Sequence, residues 1–151
     1  MLLVTAVILA SCNKRPVYNE FSVIDPDGWS SDSISVFTLL AEDTVSLHNL
    51  SINVRHTAAY PYLNLWLFVE LLSPDSLITR DTVPCTLADH TGMWLGTGTG
   101  SVYLLTVPFK KGFRFSKQGE YQFSIVHGMR DEVLKGVHAI GLKLANQHGK
   151  K

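Results

Sequence analysis

The sequence predicts an all-β protein: an antiparallel β-sandwich of about eight strands, a jelly roll being one form such a sandwich takes. Three observations predict it. Apolar residues recur at every second position in several short runs, the period of a half-buried strand. Gly, Pro, Asn and Asp punctuate these runs at short intervals. Only Met129 to Lys135, between Gly128 and Gly136, invites a helical turn.

Phe21 to Ile24 opens the first strand, and Asp25-Pro26-Asp27-Gly28 is a strong turn signal after it. Ser35 to Leu40 follows. Leu50, Ile52 and Val54 alternate with Ser51, Asn53 and Arg55. Leu63, Leu65, Leu67, Val69 and Leu71 form one face of the next run. Trp66 and Phe68 lie on its other face, which predicts a central strand covered on both sides. Leu77 to Leu87 is weaker, and Pro84 marks it as an edge or a bulge. Ser101 to Phe109 and Gly119 to His127 are clearer. Ile140, Leu142 and Leu144 close the chain.

The chain has 151 residues, enough for one domain. Lys+Arg and Asp+Glu both number 13, so the basic excess of a nucleic-acid binder is absent. A hydrophobic content of 46% with 17% charged residues argues against disorder. The neutrality is a cancellation: most acidic residues precede Gly100, and most basic ones follow it. The basic run Lys110-Lys111…Arg114…Lys117 is either a solvated loop or a contact with anionic headgroups or a partner. Two cysteines cannot make a disulfide scaffold.

Residues 1–11 are almost wholly apolar, too few to span a bilayer but the length of a signal-peptide core. No Lys or Arg precedes the run. Leu9-Ala10-Ser11-Cys12 looks like a bacterial lipobox, with Cys12 as the lipidated residue and new N-terminus. The expected organisation is a signal peptide over 1–11, a tether over 12–20, a sandwich over 21–146 and a flexible tail over 147–151. Lipid on Cys12 leaves Cys85 without a disulfide partner, as a small apolar strand residue.

Several segments, taken in order, resemble the gliding motility lipoprotein family GldH of Bacteroidetes. They are the lipobox, Phe21…Trp29, Asn53-Val54-Arg55-His56 and Tyr60-Pro61-Tyr62-Leu63-Asn64-Leu65. Asp81-Thr82 and Leu87-Ala88-Asp89…Gly92-Met93-Trp94-Leu95-Gly96 come next. Phe115…Gly119-Glu120-Tyr121, His127-Gly128-Met129-Arg130, Leu134, Gly136 and Gly141-Leu142 complete the set. The resemblance implies an envelope lipoprotein required for gliding in motile members. It supplies no reaction and no catalytic residue. The resulting expectation is a non-enzymatic, lipid-anchored interaction component of gliding motility or associated secretion machinery. Its expected partners are the membrane, through the lipid, and other envelope proteins, not nucleic acid. No cofactor is implied. Asn13-Lys14-Arg15-Pro16 lacks the acidic residues of surface-exported Bacteroidetes lipoproteins, which predicts a periplasm-facing anchor. Asn rather than Asp after Cys12 gives no inner-membrane retention signal, so the outer membrane is the expected location. The alternative function is a periplasmic module that binds glycan or peptide.

Candidate contact residues are Arg55, His56, Tyr60, Tyr62, Asn64, Trp94 and Arg130. Two readings stand for Arg55 to Asn64. One is a structural turn held by Pro61 and tyrosine hydroxyls. The other is a recognition patch, with tyrosines for area and Arg55 as a planar donor fork. Trp94 is either core or a ligand platform. Arg130 belongs either to a local ion pair or to a partner surface. Glycines 92 to 100 precede a β-like run without a phosphate-loop ending, so tight turns are the better reading. The six histidines show no pair at metal-ligand spacing. Four Asp-Ser/Thr-apolar triplets match the Bacteroidetes O-glycosylation sequon at Ser33, Thr44, Ser76 and Thr82. The same pattern also marks turn-to-strand boundaries.

Overall fold

A computed structural model describes residues 16–147. Cys12 and the residues before it lie outside the described residues, as do 148–151 of the expected tail. Eleven strands and no helix occur among the described residues: β1 (Tyr18–Val23), β2 (Trp29–Ser30), β3 (Ser35–Ala41), β4 (His48–Thr57), β5 (Asn64–Leu72), β6 (Ile78–Thr86), β7 (Thr97–Thr99), β8 (Val102–Phe113), β9 (Gly119–His127), β10 (Val133–Leu134) and β11 (Val137–Asn146). One main sheet has the order β1-β11-β4-β8-β7, the second β3-β9-β5-β6, and β10 and β2 form a separate two-stranded ladder. Every pairing is antiparallel.

Alternation produces the two-layer packing. Leu50, Ile52 and Val54 of β4 point inward with Ile140, Leu142 and Leu144 of β11. From the other sheet come Phe37 and Leu39, Leu65 to Leu71 at alternate positions, and Tyr121, Phe123 and Ile125. All are buried and form one core. Burying each such side chain contributes roughly 1.5–3 kcal/mol.

Three expectations change. The first strand begins at Tyr18, inside the segment read as tether, because Tyr18 to Val23 pair residue by residue with β11. Met129 to Lys135 forms no helix. Its one fully buried apolar residue, Leu134, pairs with Trp29 across the β10–β2 ladder. One buried residue is no helical stripe. The strand β5 is central in its sheet, but only one of its faces is covered. Trp66 is 41% exposed and Phe68 49%. Pro84 does lie on an edge strand, β6.

The registers define two poles. Tyr18, Leu144, His48 and Phe113 adjoin at one end of the first sheet. Ala41 pairs with Gly119 and Leu72 with Ile78 at the same end of the second. The chain enters at this near pole, where Val17 N–H donates to the Leu144 carbonyl at 2.8 Å. The loops after β4, β6 and β9 gather at the far pole.

Gly136 turns the chain there with φ 82°. A Cβ at this position would lie 2.5 Å from the Tyr60 nitrogen. Gly136→Ala is therefore expected to lower stability by about 1–3 kcal/mol from backbone strain alone, with the clash added. Denaturant unfolding of both forms measures it; an unchanged midpoint contradicts the argument.

Candidate functional site

The far pole is built on a buried aromatic cluster. Strand β4 ends by placing His56 inward. Its ring meets Trp94 edge-on at 4.7 Å, stacks on Tyr103 at 5.5 Å and tilts against Tyr60 at 6.0 Å. Nδ1 lies 3.2 Å from the Thr57 carbonyl oxygen, and Nε2 has no partner. Tyr60 is buried, and its hydroxyl donates to the Asn64 carbonyl at 2.7 Å, closing the β4–β5 loop. Burial holds this phenol well above its ordinary range.

Trp94 is half-buried and delivered by a tight turn. The Asp89 carboxylate accepts from the Thr91 hydroxyl and from the backbone N–H groups of Thr91 and Met93. The Thr91 hydroxyl foremost holds that carboxyl below its usual range. The Ala88–Trp94 bridge completes the turn.

In front of this cluster lies the surface. Tyr62 packs edge-on against Tyr60 at 5.9 Å and is 38% exposed. Its hydroxyl donates to Asp131 Oδ1 at 3.1 Å, which ties the β4–β5 loop to the loop after β9. That hydrogen bond to a carboxylate holds the phenol above its ordinary pKa. Trp66 N–H points at the Met129 sulfur at 3.4 Å, and Gly128 N–H donates to the Trp66 carbonyl at 2.7 Å. Tyr62, Asn64, Trp66, Gly128, Met129 and Arg130 line a shallow hollow of about 250 Å³. Arg130 is exposed and makes no ion pair among the described residues.

The seven residues singled out in the sequence thus do not form one surface. Tyr62, Asn64 and Arg130 come together. His56 and Tyr60 are buried and support them from behind, and Trp94 packs into the same support. Arg55 is elsewhere: it projects from the outer face of the first sheet, its guanidinium 4.0 Å above the Phe21 ring. Pleat alternation separates it from His56. Trp66 and Met129 were not anticipated. Alternation in β5 puts Trp66 opposite Leu65, but its exposure depends on the missing outer layer.

Of the four sequon residues, Ser33, Ser76 and Thr82 are exposed and Thr44 is half-buried. Ser76 sits at φ 62° in a turn, and Thr82 stands opposite Phe68 on the edge strand. Cys85 is fully buried, and burial pushes its thiol up to about 12, so it is no nucleophile at neutral pH. Among the described residues no group of three or more His, Cys, Asp or Glu side chains could hold a metal.

The family model described as GldH lipoprotein matches residues 16–144. The chain belongs to the GldH lipoprotein family. A gliding motility lipoprotein GldH homolog from Christiangramia forsetii is 31% identical over 147 residues, covering 93% of this chain and 90% of that one. Gliding motility lipoprotein GldH from Flavobacterium johnsoniae is 28% identical over 151 residues, covering 95% and 93%. Solved structures of infectious bursal disease virus, Gx and Gt strains, match at TM-scores of 0.37 and 0.22 with 14% identity. They cover 98% and 86% of this chain and 37% and 40% of theirs. Likeness at that level carries no argument.

Two buried histidines predict a pH-dependent stability for this chain. His127 Nε2 lies 3.1 Å from the Trp29 carbonyl oxygen, while its Nδ1 is buried without a partner. Protonation would add a donor with nothing to accept it, as it would at His56 Nε2. Burial lowers the pKa of both rings below the ordinary 6.5. The unfolded chain therefore binds more protons as pH falls below about 6.5. Stability is expected to be full above that pH and to decline toward pH 5. His127→Gln, whose amide still donates to Trp29, is expected to flatten the slope. Urea midpoints across this range decide it; a flat profile for the parent chain contradicts the account.

Proposed function

We propose that this protein is a lipid-anchored, non-enzymatic interaction component of the gliding motility or associated secretion machinery. Cys12 carries the lipid, in an outer membrane and facing the periplasm. Residues 1–11 are the cleaved signal. The family and the names of its relatives support the gliding role. One observation supports contact as the mode of action. The far-pole hollow joins two exposed aromatic rings to a cation that makes no ion pair among the described residues. Aromatic residues and Arg dominate binding energy where proteins meet. A partner's acidic or carboxyl-terminal group would satisfy Arg130.

Tyr62→Ala and Arg130→Ala are the test, because neither side chain belongs to the core. Both variants are expected to fold normally, to reach the membrane and to lose most partner capture in crosslinking from native envelopes. Wild-type capture and wild-type function in cells for both variants would refute this contact surface.

A second reading, a glycan-binding module, is favoured by Trp66 and Phe68. These rings stand on the open sheet face, and Phe68 lines a groove of about 420 Å³ with Ile34, Glu70, Arg80 and Thr82. Stacking on sugar faces suits such rings. Specific glycan retention, lost in Phe68→Ala, with no protein partner recovered would replace the first reading.

We further propose O-glycosylation at one or more of Ser33, Thr44, Ser76 and Thr82. Intact mass of the native protein is expected to exceed the lipidated polypeptide by glycan increments. A mass equal to the lipidated polypeptide refutes it.

A further inference from the structure

We propose that the near pole of the sandwich rests directly on the lipid bilayer, through apolar loop tips that enter the headgroup region. The inference builds on lipid anchoring at Cys12. Five residue steps separate Cys12 from Val17, at most about 17 Å of extended chain. The chain enters the fold at this pole, so the tether to the lipid begins here.

The pole's loops are cross-linked by hydrogen bonds and carry apolar side chains outward. Val45 is 78% exposed in the loop between β3 and β4, and Leu77 is 63% exposed in the turn before β6. Leu47 and Val17 are exposed beside them. These tips are held in place. The Asp43 carboxylate accepts from the backbone N–H groups of Val45 and Ser46, which fixes the first loop. Gln118 Nε2 donates to the Glu42 carbonyl at 2.7 Å, and Lys117 pairs with Asp75 at 3.3 Å. The loop before β9 thereby ties the other two together. Tyr121 anchors that loop, its hydroxyl donating to the Lys117 carbonyl and accepting from the Lys117 N–H. What sets these tips apart from the other exposed apolar residues is their place at the pole where the tether begins, where lipid can cover them.

Charge is not the driving force. Lys111, Arg114 and Lys117 are exposed at this pole, but so are Glu42, Asp43, Asp75 and Glu120. Lys110 is already paired with Asp81 at 2.8 Å. The basic run is offset by acidic neighbours, so the contact is apolar and insensitive to salt. Its result is orientation: the lipid fixes one point, and the tips hold the sandwich upright.

The test uses the lipidated mature protein in phosphatidylethanolamine–phosphatidylglycerol vesicles. Cys12 is blocked by its lipid and Cys85 is buried, so a single introduced cysteine takes a fluorophore. Val45→Cys and Leu77→Cys report the near pole, and Met93→Cys the far pole. Thermal unfolding confirms that each labelled variant is folded. Nitroxide lipids labelled just below the headgroup are expected to quench positions 45 and 77 severalfold more than 93, at low and high salt alike. Equal quenching at all three positions, or loss of the difference at high salt, overturns the proposal. Cys12→Ala separates the anchor itself: if that variant stays membrane-bound in cells, the lipid reading fails whatever the quenching shows. The far-pole variants read partner capture and are independent of this outcome.

Discussion

Contact between the inner faces of the two main sheets is the constraint on which the molecule depends. Ile52 and Val54 face one side of the core, and Leu67, Phe123 and Ile125 the other. Side chains alternate with a period of two, so slipping β4 by one residue would turn Asn53 and Arg55 inward and expose the apolar set. The interior therefore locks the register of β4 against β11 and β8. That register in turn decides which loops meet at which pole. A polar residue on the outer face reinforces it. Asn53 accepts from the Thr106 hydroxyl at 2.7 Å and donates to Asn19 at 3.1 Å, linking β8, β4 and β1 across their open side.

Locked registers let the poles differ in construction. The near pole is tied by polar bonds between loops and leaves its apolar tips outside. The far pole packs His56 and Tyr60 inside and keeps Tyr62, Trp66 and Arg130 at its surface. His56 shows the cost of this second arrangement. Its ring fills space among Trp94, Tyr103 and Tyr60, but one nitrogen goes without a partner. Neutral imidazole tolerates this because the orphan is a lone pair, whereas imidazolium does not.

The all-β class, the main strands and the edge position of β6 were legible in the sequence, because each rests on local alternation or on proline's missing donor. The short strands β2, β7 and β10 were not, since two or three residues carry no period. Nor was the open face of β5. A run that is apolar on both sides reads as doubly covered, and only the count of layers shows otherwise. The site was legible in part. Tyr62, Asn64 and Arg130 were named from the sequence, but that the segment of Asn64 and Trp66 meets the segment of Met129 and Arg130 follows only from the pairing of β5 with β9. Arg55 was misplaced because neighbours in sequence on a strand face opposite sides.

Distance links the two poles to a role. The ten residues of β4 run from one to the other, roughly 30 Å at strand rise. An upright sandwich resting on its near pole thus holds Tyr62, Trp66 and Arg130 well beyond the headgroups. Screening falls off within about 8–10 Å at physiological salt, so Arg130 is not engaged by lipid phosphates at that height. Its guanidinium, unpaired among the described residues, is then available to a protein or peptide approaching from the aqueous side. A tether of a few residues without a seated pole would let the domain tumble and bring the hollow down to the membrane. Seating one pole would keep the other presented, with the shared core coupling the two.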